Sequence, residues 1–138
     1  MPFKLPAALE PTYATDTWIL RCLSGPHDDT EFVKEEGITR FYESTWQVGI
    51  ASGRAGVRLE GPPIAWARKS GGEGGSHPSN IHDNGYAFGS VNVTGDTPVI
   101  LANEGPSMGG YTCLCTVITA DLYVFFARHW DIRSRFLW

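Results

Sequence analysis

A mainly β domain is what this sequence predicts, and three observations predict it. Glycine and proline, 16 and 9 of 138 residues, together approach a fifth of the chain and punctuate it throughout. Between them lie short runs of Val, Ile, Leu, Trp and Tyr, residues that suit a pleated surface. Only one segment carries the spacing of an amphipathic helix. The length suits one domain, 1–138, large enough to bury a core without disulfides or a metal. With 42% hydrophobic and 19% charged residues, the chain has the composition of a folded protein.

Taken in order, "TWILRCL" (17–23) alternates as a strand. The crowded "SGPHDDTEF" (24–32) reads as a turn, with Pro26 setting its backbone and Asp28 or Asp29 capping a short helix that ends at Phe32. In "KEEGITRFYEST" (34–45), Ile38, Phe41 and Tyr42 line one helical face, and Gly37 keeps the helix short. Strands follow at 46–51 and 56–61. Next comes a stretch of about 24 residues with few apolar anchors, longer than a compact domain usually leaves without a purpose. It opens on Pro62-Pro63, carries Trp66 as a packing anchor, and ends at Asn84-Gly85, a favourable hairpin turn. A structured loop is expected there. Further strands read at 86–93, 98–103 and 112–119.

A net charge of −4 provides no surplus of cations to neutralise phosphates, which excludes nucleic acid as the main partner. No run approaches the roughly 18 apolar residues of a membrane span, and "MPFKLPAALEPTY" lacks the apolar stretch of a signal peptide, so a cytoplasmic protein is expected. Three cysteines are an odd number. Cys113 and Cys115, two apart in an apolar run, point to one face by alternation and read, with Cys22, as buried thiols.

The densest polar stretch is "GGEGGSHPSNIHDN" (71–84). Its glycines suit either an anion-binding nest of backbone N–H groups or a flexible hinge. Ser76, His77, Ser79, Asn80, His82, Asp83 and Asn84 add donors, acceptors and imidazoles. His77 and His82, five apart, meet no recognised metal spacing, and no metal is expected. His82 followed by Asp83 reads either as a capped turn or as a polarised acid/base pair. Arg58 and Glu60 share a strand face and suit a surface ion pair, whereas Arg54, among small residues, is the better carboxylate or carbonyl binder. In "EGPSMGGYT" (104–112), Gly109-Gly110 permits close approach ahead of Tyr111, or merely connects two strands.

The motifs "LRCLSGPHDDTEF", "GRAGVRLEGP", "GGEGGSHPSNIHDN", "VNVTGDTPVIL" and "GPSMGGYTC", in this order, resemble the carboxyltransferase region of fungal urea carboxylase (urea amidolyase). The likeness is to its allophanate hydrolase subunit 2-like, or KipA-like, half, and it covers about residues 17–123. It implies a cyclophilin-like β-barrel with one or two short helices. Such a half pairs with a KipI-like half to enclose the site where carboxybiotin gives its carboxyl group to urea. On that pattern His82 and Asp83 form the catalytic polar centre. Arg54, Ser76, His77, Ser79, Asn80 and Tyr111 bind substrate, and Gly109 and Gly110 border the biotin.

Two departures stand out. Where the family shows Ser-Asn-Arg this chain reads Ser52-Gly53-Arg54, which removes a polar side chain. The tail "VFFARHWDIRSRFLW" replaces the expected closing strand, and its Trp130, Phe136 and Trp138 are expected to cover a sheet edge or make a dimer contact. The chain has no Met-Lys-Met biotinylation site, so any biotin is delivered by a partner and none is attached here. The expected function is a stand-alone carboxyltransferase half for a urea-like small amide, working with a KipI-like half or as a homodimer. The alternatives are a repurposed barrel serving as isomerase, cyclase or amide-ring hydrolase in a biosynthetic pathway, and a non-catalytic binding module.

Overall fold

The alternation in TWILRCLS builds the first wall of the molecule. Trp18, Leu20 and Cys22 are buried along strand β1 (Thr17–Ser24), while Thr17, Ile19 and Arg21 face outward. The structure is a computed structural model that describes residues 17–126 and 133–137. Helix α1 (Glu35–Glu43) follows, then β2 (Thr45–Val48), β3 (Gly56–Glu60), β4 (Asn80–Gly85), β5 (Ser90–Thr94), β6 (Thr97–Leu101), β7 (Met108–Val117), α2 (Thr119–Phe126) and β8 (Arg133–Leu137). Among the described residues no helix is long and apolar enough to cross a membrane.

The strands pair in the order β1-β8-β2-β3-β6-β5-β7, and the second half of β1 returns to β7 through Cys22↔Val117 and Ser24↔Cys115. Seven strands therefore form a closed circuit, with β4 outside it on the far edge of β7. Closure depends on β8, which runs parallel to β1 and antiparallel to β2. The divergent tail thus supplies a closing strand after all, and the segment containing Phe136 lies between β1 and β2. Trp130 and Trp138 fall outside the described residues.

The interior is filled by Trp46, Phe41, Leu20, Leu59, Ile100 and Leu114, all nearly inaccessible. Trp46 anchors α1 by donating its indole N–H to the Phe41 carbonyl at 2.9 Å. Gly37 sits where a Cβ would lie 2.8 Å from Val33 and 2.9 Å from Ala65, so the residue that shortens the helix also lets it approach the chain below. Outside, Arg21 grips Asp121 through Nη2–Oδ1 at 2.7 Å and Nε–Oδ2 at 3.1 Å, docking α2 on β1.

Several expectations are corrected. The 62–85 stretch is not all loop, because residues 80–85 form β4 on the start of β7. That pairing also converts 108–111 from a connection into strand. Asn84 and Gly85 end β4 instead of making a hairpin turn; the chain reverses at Gly95, where φ is 65° and a side chain would be strained. The strand expected from residue 86 begins at Ser90, after a turn at Gly89 with φ 86°. Cys113 and Cys115 do not share a face. The β5–β7 register shifts between Val91↔Cys115 and Asn92↔Cys113, and this bulge sends Cys115 to the main core with Cys22 and Cys113 to a second cluster with Tyr86 and Leu101. All three are buried thiols.

Candidate functional site

That second cluster marks an outer sheet face that is also covered. On β5, Val91 and Val93 enter the main core, so Asn92 between them points to the opposite face, yet it is only 3% exposed. A cavity of about 330 Å³ opens there, walled by Arg58, Asn92, Thr94, Leu101 and Tyr111 from four strands and rimmed by the turn before β3. Ser52 holds that turn: its Oγ donates to the Gly49 carbonyl at 2.7 Å and accepts the Arg58 N–H at 3.0 Å. The Asn92 Oδ1 is buried without a hydrogen-bond partner. A buried acceptor left unpaired costs on the order of 1–3 kcal/mol; among the described residues the Trp18 indole N–H and the Thr112 hydroxyl are in the same state, and of the three only Asn92 lines this cavity.

A second cavity, about 660 Å³, lies on the other side of the same turn. Phe88 and Phe126 stack there at 5.5 Å beside Leu122 and Tyr123, with Arg54 at the mouth. Arg54 faces Glu104 at 3.4 Å, and both side chains are exposed, so the pair contributes little to stability and leaves the guanidinium accessible. Gly53 belongs to the lining of both cavities. Arg58, expected in a surface pair with Glu60, lines the first cavity instead.

The polar stretch folds mostly upon itself. The N–H groups of Gly71, Gly72, Gly74 and Gly75 bond to the Gly75 carbonyl, Ser70 Oγ, the Gly71 carbonyl and the Gly72 carbonyl, so no nest of free donors forms. Gly72 and Gly75 have φ of 60° and 140°, and added Cβ atoms at Gly71 and Gly74 would lie 2.3 Å and 2.4 Å from the backbone of Asn80 and Ile81. The glycines let the loop lie against the outer edge of β4 and cover it. Arg68 fastens this cover, with Nε donating to the Pro78 carbonyl at 2.9 Å, Nη2 donating to the Asn80 carbonyl, and the guanidinium 4.5 Å over the Phe32 ring.

Within the stretch, Ser79 is fully buried; its Oγ receives the Gly95 N–H at 3.1 Å and contacts His77 Nδ1 at 2.9 Å. The His77 ring stands edge-on to Trp66, whose indole N–H donates to Asp96 at 2.8 Å, so Trp66 is an anchor as expected. Ser76, His82 and Asp83 are exposed, and Asn80 pairs in register with Tyr111. His82 and Asp83 therefore lie on the strand beside Tyr111 without lining either cavity described above. Gly109 and Gly110 pack closely, their added Cβ atoms falling 3.2 Å from the Tyr86 ring and 3.0 Å from the Ile81 carbonyl. The Tyr86 hydroxyl ties this start of β7, meeting the Gly109 and Tyr111 carbonyls at 2.8 Å and 2.7 Å and the Tyr111 N–H at 2.8 Å. Burial pushes its phenol pKa up.

The acidic turn after β1 is structural, although the short helix expected to end at Phe32 is a hydrogen-bonded turn instead. Asp28 Oδ2 accepts from Tyr42 and Ser24 at 2.8 Å and 2.9 Å, and Asp29 Oδ1 accepts the Glu31 and Phe32 N–H groups. Among the described residues no group of three or more His, Cys, Asp or Glu is placed to hold a metal ion. Sequence reasoning missed Asn92 and Ser52 and gave Arg58 only a surface pairing; Asn92, in a strand that also holds Ser90 and Thr94, carries no signal of its own. Together Asn92, Arg58 and Ser52 form a cleft with an amide acceptor and a guanidinium donor, suited to a neutral planar amide.

The comparisons with known proteins agree with this architecture. Residues 3–136 match the carboxyltransferase domain family, subdomains A and B. Urea amidolyase of Lachancea kluyveri is 47% identical over 123 residues, covering 88% of this chain and 7% of that protein. The crystal structure of Kluyveromyces lactis urea carboxylase superposes with a TM-score of 0.91 at 42% identity, covering 96% of this chain and 12% of that one. The crystal structure of K. lactis urea amidolyase gives the same TM-score and identity over 8% of its chain. The chain thus spans a small part of the relatives it matches. By its sequence over nearly all its length and by its closed seven-strand circuit, it belongs to the carboxyltransferase domain family.

Proposed function

We propose that this chain is one half of a carboxyltransferase site that binds a urea-like small amide, the other half coming from a partner domain or a second copy. The observation that carries this reading is Asn92, a buried carboxamide whose Oδ1 lacks a partner and which lines a cavity beside Arg58. Asn92 Oδ1 accepts a substrate N–H, the Arg58 guanidinium donates to the substrate carbonyl, and Tyr111 forms the wall. Biotin carried on a partner would supply the carboxyl group; its ring is itself a cyclic urea, so donors and acceptors that suit an amide suit it as well. Gly109 and Gly110 border that end, and Arg54 holds a carboxylate at the mouth. Ser76, His77, Ser79 and Asn80 shape the neighbouring rim. His82, exposed on β4, takes the proton from the substrate nitrogen once the partner covers the β4–β7 face, and Asp83 next to it in the strand adds an acceptor to that rim.

The test is a calorimetric titration of the full chain with urea, set beside Asn92→Leu. The parent should bind saturably and the variant at least ~10-fold more weakly, the equivalent of about 1.4 kcal/mol. The variant should melt no lower than the parent, since it removes an unpaired buried acceptor. Equal urea binding by the two proteins would sink the assignment of Asn92.

A further inference from the structure

Position 53 is where the two cavities adjoin. Gly53 lines both, and its φ is not in the left-handed region that demands glycine. A Cβ placed there would meet no heavy atom within 4 Å. Gly56, three residues on, is different: its added Cβ would lie 2.7 Å from Val99 Cγ1. The turn is closed by Gly53 N–H to the Gly56 carbonyl at 2.9 Å and Gly56 N–H to the Gly53 carbonyl at 3.1 Å, bonds that any residue but proline can keep at 53. Neither backbone nor packing therefore requires glycine at 53. What its missing side chain provides is open space between a polar cavity and an aromatic one.

The two cavities differ in chemistry. One presents Asn92 and Arg58; the other presents the stacked Phe88 and Phe126, and Phe88 is 38% exposed. The first cavity alone, at about 330 Å³, falls within the ~300–1,000 Å³ of pockets that hold drug-sized ligands and is far roomier than urea needs. We propose that the substrate is an N-substituted urea or amide with an apolar or aromatic arm, and that Gly53 determines this specificity. The amide head sits at Asn92 and Arg58, and the arm passes over Gly53 to rest on Phe88 and Phe126. This rests on the amide-binding reading above and extends it to a substrate class.

The experiment compares urea with phenylurea as calorimetric ligands for the full chain, for Gly53→Leu and for Phe88→Ala, with thermal melting as the check on folding. The parent should bind phenylurea at least ~10-fold more tightly than urea, and either substitution should reduce that ratio ~10-fold. Gly53→Ala serves in the same comparison if the leucine variant does not fold. Urea binding with no preference for phenylurea, or a preference that survives both substitutions, overturns the specificity assignment and leaves the amide site standing. No binding of either ligand by the parent overturns both.

Discussion

His27 is held as a neutral ring by its surroundings. Its Nδ1 accepts the Cys113 N–H at 3.0 Å, and its edge meets the Phe32 ring at 4.7 Å between centroids. Burial pushes its pKa below the ordinary 6.5. The unfolded chain therefore takes up a proton at a pH where the folded one resists it, so this stabilisation is present above about 6.5 and is lost as pH falls through the lower folded value. Asp28 next to it has the opposite sign: burial raises its pKa, so its contribution is full below 3.8 and is lost as pH rises through the folded value. His27→Asn keeps an acceptor near Nδ1 and removes the titration. The fall in melting temperature between pH 7.5 and 5.5 should be smaller in the variant than in the parent, and equal falls would show that His27 is not the titrating group. The structural role of this turn was legible from Pro26, Asp28 and Asp29. Asn92 was not legible, because between two valines alternation assigns it to solvent, whereas in the fold it is buried in the wall of a cavity that it shares with Leu101 and Tyr111.

At the level of elements, β4 shows what a sequence pattern does not carry. Of its six residues only Ile81 is apolar and buried, so no periodicity announces a strand. It is a strand because β7 lies beside it, and residues 108–111 are strand for the same reciprocal reason. The helix at 34–45, by contrast, was legible from Ile38, Phe41 and Tyr42, and it appears as α1 with its ends trimmed. α2 was passed over because "TADLYVFF" continues the apolar run of β7 without a polar face. The cover over β4 depends on Arg68, whose planar fork reaches two carbonyls while its flat face lies on Phe32. Lysine has neither the fork nor the flat face. Arg68→Lys should cost ~2 kcal/mol by guanidinium chloride unfolding, a denaturant chosen because urea is the candidate ligand. A cost below a few tenths of a kcal/mol would mean that the glycine packing alone holds the cover.

Across the whole molecule, the family pattern in the five motifs predicted the barrel, and the pairings show it, although the tail that closes it has its own sequence. β8 supplies partners to Thr17–Arg21 on one side and to Thr45–Gln47 on the other. Deleting residues 133–138 should leave both strands with open edges. The shortened chain is expected to lose its cooperative calorimetric transition; a sharp transition near the parent temperature would show that closure adds little. The same pairing has a consequence for biosynthesis. The partner of Thr17 is Arg133, so the ribosome must add roughly a hundred residues, at ~5–20 per second, before β1 can be sealed. For some ten seconds the earliest wall of the barrel waits with its edge bare, which makes nascent β1 the segment on which a chaperone would act.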